Sequence, residues 1–581
     1  MPRVVKEELA AILLEIGVLM RLAGENDFRA MAFDRAARTL ESLEGDINVY
    51  IENKTLTDLK GIGTGIAADI YEFADTGHIS VHDKLKKSIP EGLFKWLDIS
   101  GLGPKKIFKI HKELGITEVS ELKEKCMDGS VAALAGMGKK SAEKILKSIE
   151  WMDQYAERCR LDEAEAIARL FYDALKDQKG VKDMSVAGSL RRSNETIGDI
   201  DILIAAHEED IPELMEVFIH HPGVVEVLAH GTSKSSVRAD HGRQVDLRIV
   251  KPDQFAAALL YFTGSKEHNV ALRQRARKKG LVLNEYGLFH QNDDEMPLEA
   301  ATEEEIYHHL GLAFIPPELR EDYGEFVQAE EGTVPDLVSE SDIQGVIHAH
   351  SRWSDGKNSI SELADACMER GYSYLCITDH SRSAAYAGGL RVEQVYDQWK
   401  EIDQLNDQYV KGDRPFFILK GIESDILADG QLDYPDEVLI GFDLVIGSVH
   451  SSLDQPPEKM LERLKRAIEH PYMHMLGHPT GRLLLKRDGN KVDLNELIRF
   501  ASDHKTAIEI NANPRRLDMD WRYGRIMREN GLMSGICPDA HSIRGLDDIR
   551  FGVGIARKAG LSSKMILNAC SLDDLRKWLD R

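Results

Sequence analysis

The sequence predicts a multidomain chain with a helical N-terminal region, a middle region of mixed helices and strands, and a C-terminal region of alternating strands and helices. Three observations predict this arrangement. The 581 residues are too many for one domain, since domains usually hold about 100–200 residues. Apolar residues recur at helical spacing over residues 1–80, which favours packed helices. After residue 341, short apolar runs alternate with helical ones, and such repeats favour a parallel sheet or barrel.

The composition excludes some classes of protein. No apolar run approaches the roughly 20 residues of a membrane span, and the N-terminus contains acidic residues and lacks a signal-peptide cleavage pattern. The six cysteines form no Cys-x-x-Cys pair, which is typical of reduced thiols. We therefore expect a cytoplasmic protein without membrane contact. The net charge of −24 argues against nucleic-acid binding unless cationic side chains are concentrated locally.

The most informative stretch is Val186–Ile204, VAGSLRRSNETIGDIDILI. A strand that begins at Asp199 is expected to place Asp199 and Asp201 on one face, because strand side chains alternate between faces. Asp246 lies in another β-like run. Clustered carboxylates repel one another unless a cation lies between them, and hard oxygen ligands suit Mg²⁺. Pairs of Mg²⁺ ions held in this way stabilise the attacking and leaving oxygens of phosphoryl transfer.

Small and cationic residues precede these carboxylates. Gly188 and Ser189 could bring backbone N–H groups close to a phosphate, and Arg192 could add a charge-assisted contact. An isolated Asp-x-Asp is usually a solvated turn. The full pattern, Gly-Ser-x-Arg-Arg, a loop, Gly-Asp-x-Asp and a later strand aspartate, resembles the nucleotidyltransferase palm of family X DNA polymerases. The resemblance implies catalytic, Mg²⁺-binding roles for Asp199, Asp201 and Asp246, and dNTP binding by Gly188, Ser189 and Arg192.

Three copies of a Gly-apolar-Gly turn precede helix-like runs in the N-terminal region. Such glycines allow a tight turn at a helix N-terminus and leave backbone N–H groups free to bind phosphate. A single copy would be an ordinary helix–helix turn. Three copies resemble the helix-hairpin-helix motif, which holds the DNA backbone without reading sequence. The resemblance implies DNA contacts at Gly61, Gly63, Gly101, Gly103, Lys105, Gly136, Gly138 and Lys139.

The same region resembles the N-terminal domains of DNA polymerase beta and its bacterial relatives. In polymerase beta the first domain carries a lyase activity through a Schiff-base lysine on the helix after the first turn. The position that corresponds to this lysine is Asp69, and no lysine lies in Thr64–Ile70. Gly65 stands where that protein has a basic residue near the 5′-phosphate. Because a Schiff base needs an amine, we expect the lyase activity to be absent or weak.

A second motif follows the palm, with Tyr-Phe-Thr-Gly-Ser at Tyr261–Ser265 and Asn-Glu-Tyr-Gly at Asn284–Gly287. It resembles the thumb of family X enzymes. The basic residues between Arg273 and Lys279 supply the local positive charge that DNA binding needs. Arg158 and Arg160 are candidates for one further arginine of the family pattern. The resemblance implies nucleotide contacts by Tyr261, Phe262, Gly264 and Asn269, and DNA contacts by Arg273, Glu285 and Tyr286.

In the C-terminal region most short apolar runs end in metal-binding residue types. In barrels, residues at the C-terminal ends of strands converge although they are scattered in sequence. Their order resembles the polymerase and histidinol phosphatase (PHP) domain. That family implies a distorted seven-stranded barrel with about three Zn²⁺ or Mn²⁺ ions, and Arg482 is a candidate phosphate contact. The implied ligands are His348, His350, Asp355, His380, Glu423, His450, His478, Asp539 and His541.

The resemblances define an expected domain order. It comprises a helical DNA-binding domain (residues 1–90), helix-hairpin-helix fingers (91–150), the palm (151–258), the thumb (259–320), an acidic linker (321–341) and a PHP metallo-nuclease domain (342–581). A bacterial family X DNA polymerase of this kind would fill short gaps in base excision repair. Its PHP domain would remove 3′-terminal nucleotides, and relatives also incise at abasic sites. The expected partners are gapped or primed DNA and dNTPs, and a monomer is expected.

Two alternative functions compete with this one. The first is a histidinol-phosphatase-like enzyme that acts on small molecules, which would need neither the helix-hairpin-helix repeats nor the thumb. The second is a DNA-binding scaffold with a decayed polymerase, which the intact Asp199, Asp201 and Asp246 argue against. Tight binding of gapped DNA without turnover would favour the scaffold.

Overall fold

The computed structural model describes residues 4–41, 43, 46–99, 101–155, 158–409, 411 and 415–580. The chain forms two compact units, Met1–Ala156 and Glu157–Arg581. In the described ranges, no helix is both long and apolar enough to cross a lipid bilayer.

The first unit is entirely helical. Its helices enclose a core that includes Leu13, Phe33, Trp96 and Ile107. Glycines with positive φ separate several helices, because this backbone conformation costs other residues more. The helices are α1 (Lys6–Leu22), α2 (Asp27–Glu41), α3 (Ile47–Glu52), α4 (Thr64–Thr76), α5 (Ser80–Ser88), α6 (Gly92–Lys95), α7 (Pro104–Leu114), α8 (Val119–Met127), α9 (Ser130–Ala133) and α10 (Lys139–Tyr155).

The second unit begins with the predicted palm. A five-stranded sheet has the order β2-β4-β7-β6-β5, in which β4 and β7 are parallel and the other pairs are antiparallel. Helices α11 and α13 supply Phe171 and Phe218 to the core against this sheet. The elements are β1 (Cys159–Arg160), α11 (Leu161–Leu175), β2 (Asp183–Val186), α12 (Gly188–Arg191), β3 (Thr196–Ile197), β4 (Asp199–Ala205), α13 (Ile211–Ile219), β5 (Val224–His230), β6 (Lys234–Ala239) and β7 (Gln244–Val250).

The predicted thumb follows as helices around a three-stranded antiparallel sheet. The segment 321–341, expected to be a linker, contains a helix whose Phe326 and Ala329 join the thumb core. Some of its acidic residues are paired: Glu325 with His268, for example, at 2.8 Å. The elements are α14 (Phe255–Thr263), α15 (Lys266–Lys278), β8 (Leu281–Asn284), β9 (Gly287–His290), β10 (Asp293–Pro297), α16 (Glu303–His309) and α17 (Glu325–Glu331).

Seven parallel strands in sequential order form the C-terminal domain. A bridge between Ala349 and Ala540 joins the ends of the first and last strands, so the sheet forms a nearly closed barrel and confirms the predicted fold. The elements are β11 (Gly345–Ala349), α18 (Ile360–Glu369), β12 (Tyr374–Ile377), α19 (Val392–Tyr409), β13 (Phe417–Asp425), α20 (Asp436–Leu439), β14 (Leu444–Ser448), α21 (Pro457–Ile468), β15 (Met475–Leu476), α22 (Leu494–Asp503), β16 (Ala507–Asn511), α23 (Gly524–Glu529), β17 (Ser534–Cys537), α24 (Ile549–Lys558) and α25 (Leu572–Leu579).

A buried carboxylate joins the palm to the thumb. Glu303 accepts hydrogen bonds from Arg191 at 2.7 and 2.9 Å and from Arg320 at 2.6 Å. Burial would raise the pKa of Glu303, but the two guanidinium groups lower it from 4.5 to about 2. The folded state therefore favours the ionised carboxylate. Its contribution to stability is full above about pH 4.5 and is lost as the pH falls towards 2.

We expect Glu303→Gln to destabilise the protein at pH 7 by about 3–5 kcal/mol, because it leaves a buried arginine without its counter-charge. The difference in free energy of unfolding between the two proteins should be about 1 kcal/mol smaller at pH 3.5, because Glu303 of the unfolded chain is protonated there. Denaturant unfolding at pH 7 and at pH 3.5 measures the free energy of unfolding of each protein. Glu330→Gln removes a half-exposed partner of Arg275 and should cost less than about 1 kcal/mol. Equal effects of the two substitutions would contradict the argument.

Candidate active sites

The palm carboxylates lie on two adjacent parallel strands. Asp199 and Asp201 project from one face of β4, and Asp201 is directly opposite Asp246 on β7. Asp246 is buried, whereas Asp199 at the start of its strand is exposed. The strand pairing thus brings together the three aspartates that the sequence separates.

The three carboxylates of this cluster repel one another. Burial, reinforced by Asp199 and Asp246, raises the pKa of Asp201 to about 7. Burial would also raise the pKa of Asp246, but a hydrogen bond from Lys234, with Nζ 2.6 Å from the carboxylate, helps to lower it. Because ionised carboxylates this close together repel one another, an added positive charge stabilises the group. The donor set, all oxygen, therefore fits the hard cation Mg²⁺.

The turn before β4 is packed closely against the carboxylates. A side chain at Gly188 would place its Cβ 2.3 Å from Oδ2 of Asp201, and Gly188 has a φ of 62°. Only glycine satisfies both conditions without displacing the carboxylate. The half-buried Ser189 and the backbone of this turn consequently lie at the edge of the carboxylate cluster.

Arg192 is held by Thr263 of the thumb and by Glu321, the first residue of the segment after the thumb. Its Nε donates to Glu321 at 2.9 Å, and its Nη1 donates to the backbone oxygen of Thr263 at 2.5 Å. A Cβ at Gly264 would be only 3.1 Å from Nη1. The Tyr-Phe-Thr-Gly-Ser motif therefore contacts the predicted nucleotide arginine directly.

The remaining thumb residues group as the sequence implies. The Nδ2 of Asn269 donates to the backbone oxygen of Tyr261 at 2.7 Å, and Arg273 donates to the backbone oxygen of Asn269 at 3.3 Å. Phe262 lies in an edge contact with Tyr261 and under the guanidinium of Arg248, 4.3 Å from its ring centre. Glu285 and Tyr286 line a cleft of about 740 Å³ together with Phe262 and Arg248. Arg248 was not among the predicted site residues.

The Gly-apolar-Gly turns of the first unit share one arrangement. The middle residues Ile62, Leu102 and Met137 are buried, and the second glycine of each turn is exposed with open space where a Cβ would be. Each turn leads into a helix, namely α4, α7 or α10. Lys139 is 89% exposed, whereas Lys105 pairs with Asp27 at 2.7 Å. Such turns can approach a phosphate backbone without steric hindrance.

The barrel brings the predicted ligands to its C-terminal edge. Their donor atoms form three groups within 4.8 Å: His350 with Asp355, His380 and His541; His348 with His350 and Asp539; and His380 with Glu423 and His450. The ninth predicted ligand, His478, lies 3.0 Å from Glu423. The groups share His350 and His380, so the geometry is that of one cluster of adjacent sites.

Chemistry and burial in this cluster fit metal binding. Nδ1 of His350 is fully buried and has no hydrogen-bond partner among the described residues. Burial lowers the pKa of His350 to about 3 and so favours its neutral, ligating form. At His541 burial would lower the pKa, but Asp355 and Asp539 outweigh it and raise the pKa to about 9, so a metal ion there would displace a proton. His348 and Asp539 have φ values of 71° and 51°, a conformation that is costly for these residues and typical of functional sites. Imidazole and carboxylate donors suit Zn²⁺ or Mn²⁺.

Further carboxylates orient the ligands. Glu509 accepts from Nδ1 of His348 at 2.5 Å, and Asp425 accepts from Nδ1 of His450 at 2.6 Å. Such partners fix the ring orientation of a metal-binding histidine. Neither residue was predicted, although a glutamate inside the apolar run Ala507–Ile510 was a usable signal. Asp379, by contrast, is occupied by hydrogen bonds from Ser351, Ser354 and Gln398.

A cleft of about 1670 Å³ leads from this cluster towards α11 of the palm. Asp539 and His541 line its inner end, and Arg515, Arg516 and Arg544 lie along its wall. Arg482, expected near a phosphate, instead donates to the backbone oxygen of Arg516 at 2.9 Å and to Glu195 of the palm at 3.3 Å. Its side chain is needed for contacts between domains, so it does not face the cluster.

Five family models match successive parts of the chain. Two describe helix-hairpin-helix domains and match residues 5–79 and 96–150. The DNA polymerase beta palm matches 158–245, the DNA polymerase beta thumb matches 258–321, and the PHP domain matches 347–513. The matched segments contain most of the site residues described above, whereas Asp246 follows the palm match directly and Asp539 and His541 lie beyond the PHP match.

Relatives match over different lengths. The chain is 41% identical over 579 residues to the DNA polymerase/3′-5′ exonuclease PolX of Bacillus subtilis (strain 168), covering 99% of both chains. The chain belongs to the family X DNA polymerases that carry a PHP domain. It is also 23% identical to DNA polymerase lambda of Rattus norvegicus over 51% of this chain and 52% of that protein. A probable phosphatase of Thermoanaerobacter sp. (strain X514) is 24% identical over 36% of this chain and 84% of its own length.

In this family X polymerase the two candidate arginines before the palm differ. Arg158 donates to Oγ1 of Thr196 at 2.9 Å and so lies beside the loop that leads to Asp199. Arg160 instead pairs with Asp162 at 3.0 Å and with Glu163 at 2.9 Å. The position of Arg158 therefore suits a contact near the nucleotide better.

The first helix-hairpin-helix turn supports a prediction about lyase chemistry. Asp69 and Gly65 line a cavity of about 770 Å³ together with Lys60 and Arg29. Helix α4 carries no lysine, and Lys60 lies on the turn before it. We expect borohydride treatment with a 5′-deoxyribose-phosphate substrate to trap little covalent adduct, because α4 offers no amine to form the Schiff base. Efficient trapping that disappears in Lys60→Ala would overturn this expectation and identify the amine.

Proposed function

We propose that this polymerase fills short gaps in DNA during base excision repair in the cytoplasm, and that its PHP domain removes 3′-terminal nucleotides from the same substrates. The observation that carries the proposal is that one chain has a carboxylate cluster beside a phosphate-binding turn and a separate imidazole–carboxylate cluster at the mouth of a cleft. A monomer would suffice, since each cluster is built from one chain.

The palm residues are assigned roles in nucleotidyl transfer. Asp199, Asp201 and Asp246 would hold a pair of Mg²⁺ ions, which supply charge stabilisation for the attacking and leaving oxygens. Gly188 and Ser189 would bring backbone N–H groups to the triphosphate, and Arg192 would donate to it. Asp246, held by Lys234 and Gln244, is placed to accept the proton of the primer 3′-hydroxyl.

The thumb would position the nascent base pair. Tyr261 and Phe262 form an edge-packed pair that would lie against the nucleotide sugar and restrict a 2′-hydroxyl. Asn269 and Arg273, joined through the backbone, would contact the minor groove. Gly264 allows Arg192 to approach the thumb, while Glu285 and Tyr286 close the opposite side of the cleft.

The PHP residues are assigned roles in hydrolysis. The nine predicted ligands would hold about three Zn²⁺ or Mn²⁺ ions, which supply an activated water and neutralise the phosphodiester charge. Glu509 and Asp425 orient His348 and His450. Arg515 is exposed on the cleft wall, where it would hold strand phosphates. The volume of this cleft, about 1670 Å³, suits a polynucleotide better than a small phosphate ester.

The domain divisions expected from sequence are proposed as functional segments. Residues 1–90 and 91–150 would grip the DNA backbone through the exposed glycines and Lys139. Residues 151–258 and 259–320 would carry synthesis, and residues 342–581 would carry hydrolysis. The segment 321–341 would act as a structured connection, because its helix packs on the thumb.

A labelled primer tests the proposed pair of activities. A 5′-labelled primer on a duplex with a one-nucleotide gap is incubated with Mn²⁺, with or without dNTPs, and primer length is followed over time. Extension with dNTPs and stepwise shortening without them would support the proposal. Extension alone would mean that the PHP cluster is metal-free, misassembled or directed at another substrate. Shortening alone would mean that the palm motif is present without its activity, and hydrolysis would become the main function. A parallel duplex with an abasic site shows whether the same PHP cluster incises there.

A further inference from the structure

A buried lysine side chain of the PHP domain lies beside the polymerase site. Lys558, at the end of α24, has a side chain that is 1% exposed. Its Nζ donates to Glu321 at 2.5 Å and to the backbone oxygen of Arg192 at 3.1 Å, and it lies 4.6 Å from the ring centre of Trp521. Lys558 therefore contacts both the side-chain partner and the backbone of the nucleotide arginine.

The same oxygen of Glu321 serves both cations. Oε1 accepts from Nε of Arg192 at 2.9 Å and from Nζ of Lys558 at 2.5 Å. With Nη1 of Arg192 bonded to Thr263, two of the three guanidinium nitrogens are fixed by protein contacts. Lys558 thus limits where Glu321, and through it Arg192, can move.

Other PHP residues support the same palm loop. Arg557 pairs with Glu318 at 2.7 Å at the end of the thumb, and two further contacts reach the palm loop itself. A Cβ at Gly554 would be 3.1 Å from Oγ of Ser193, the residue after Arg192. Arg482 reaches Glu195. The loop between the phosphate-binding turn and Asp199 is therefore in contact with the PHP domain at several points.

We propose that Lys558 is a positioning residue through which the PHP domain orients Arg192 for dNTP binding at the polymerase site. A buried ion pair contributes little net stability, because desolvation of both charges offsets their attraction. Fixing the geometry of Arg192 is a role for which such a pair is suited. The inference rests on the proposed role of Arg192 in triphosphate binding, and it makes synthesis depend on a domain that contains the other active site.

The test is a double-mutant cycle in the full-length polymerase. Lys558→Met and the nearly isosteric Glu321→Gln are each expected to raise the KM for dNTP about 10-fold in one-nucleotide gap filling, which corresponds to about 1.4 kcal/mol. Because both act through Arg192, the double variant should raise KM by about the same factor rather than by the product. The kcat, the KM for DNA and the rate of primer shortening should change by less than about twofold.

Controls separate positioning from folding. Lys577→Met removes an exposed lysine that pairs with Asp574 on α25 and should leave every parameter unchanged. A burst experiment counts active sites, so a structural role alone would lower the burst amplitude at constant KM and overturn the proposal. If Lys558→Met fails to fold, Glu321→Gln alone must still raise KM. If the double variant raised the KM for dNTP by the product of the two single effects, the positioning proposal would also be overturned.

A further variant tests the proposed role of Arg192 independently of the positioning role of Lys558. Arg192→Ala should raise the KM for dNTP by more than Lys558→Met does. If Arg192→Ala leaves KM unchanged, the assignment of Arg192 to the triphosphate is wrong. If Arg192→Ala raises KM while Lys558→Met and Glu321→Gln do not, only the positioning role of Lys558 is wrong.

Discussion

Asp199→Ala combined with Asp201→Ala should abolish primer extension and spare primer shortening. Removal of two of the three palm carboxylates leaves Asp246 alone, already paired with Lys234 at 2.6 Å. One carboxylate cannot hold the cations that stabilise the attacking and leaving oxygens, so extension should fall by about a thousandfold or more. Shortening should persist, because the PHP ligands lie on different strands, β11 to β17, or in the loops after them.

The substituted protein should remain folded. In this cluster burial and the neighbouring carboxylates raise the pKa of Asp201 to about 7, so removing charges relieves repulsion rather than breaking a pair. Thermal unfolding in EDTA should therefore show no loss of stability. Asp183→Ala, an exposed aspartate on the neighbouring strand β2, is the matched control and should retain both activities. Loss of shortening in the folded double variant would show that the two sites are not independent.

The second large effect concerns the barrel. His348→Ala combined with His350→Ala should abolish primer shortening and leave one-nucleotide extension within about twofold. His350 belongs to two of the three ligand groups, so its loss disrupts more than one ion. Metal content after gel filtration should fall from about three ions per chain, a measurement that does not depend on activity.

Both histidines are fully buried, and their removal takes the His348 imidazole away from Glu509, which then keeps its contacts with His478 and Asn511. Asp355→Asn therefore provides a gentler test, since Asp355 is 36% exposed and lies 3.4 Å from Nε2 of His541. It should also reduce shortening and metal content. His504→Ala, on the surface of the same domain, is the control. Retained shortening in a folded, metal-depleted Asp355→Asn protein would contradict the assignment of the PHP cluster to hydrolysis.

Local sequence patterns predicted which residues share a face and which strand ends converge, whereas the seven-stranded barrel and the domain order followed from the family resemblance. Alternation of side chains along a strand requires Asp199 and Asp201 to share a face. Parallel strands that all end at one edge require the residues after them to converge, which is why the predicted ligands scattered between His348 and His541 could be grouped. The turns at Gly61, Gly101 and Gly136 could also be predicted from sequence, because all three residues adopt the positive φ that favours glycine.

Contacts between domains were not predictable in this way. The sequence suggested that Arg482 faces a phosphate and that residues 321–341 form an acidic linker. In the structure Arg482 reaches Glu195, and the carboxylates of the linker segment pair with buried cations such as Lys558. Lys105, which stays a predicted DNA contact, is 67% exposed and has Asp27 as a further partner. Each partner is far away in sequence, and no local pattern identifies it.

The sequence by itself determined which chemical groups the protein has, in what order, and on which strand ends they lie. Periodicity and turn chemistry encode these features within a few residues. Only the tertiary structure decided how these groups are oriented: Glu509 on His348, Asp425 on His450, and Lys558 on the carboxylate that holds Arg192. Orientation depends on side chains brought together by domain packing, and the free energy of that packing is shared among many distant residues.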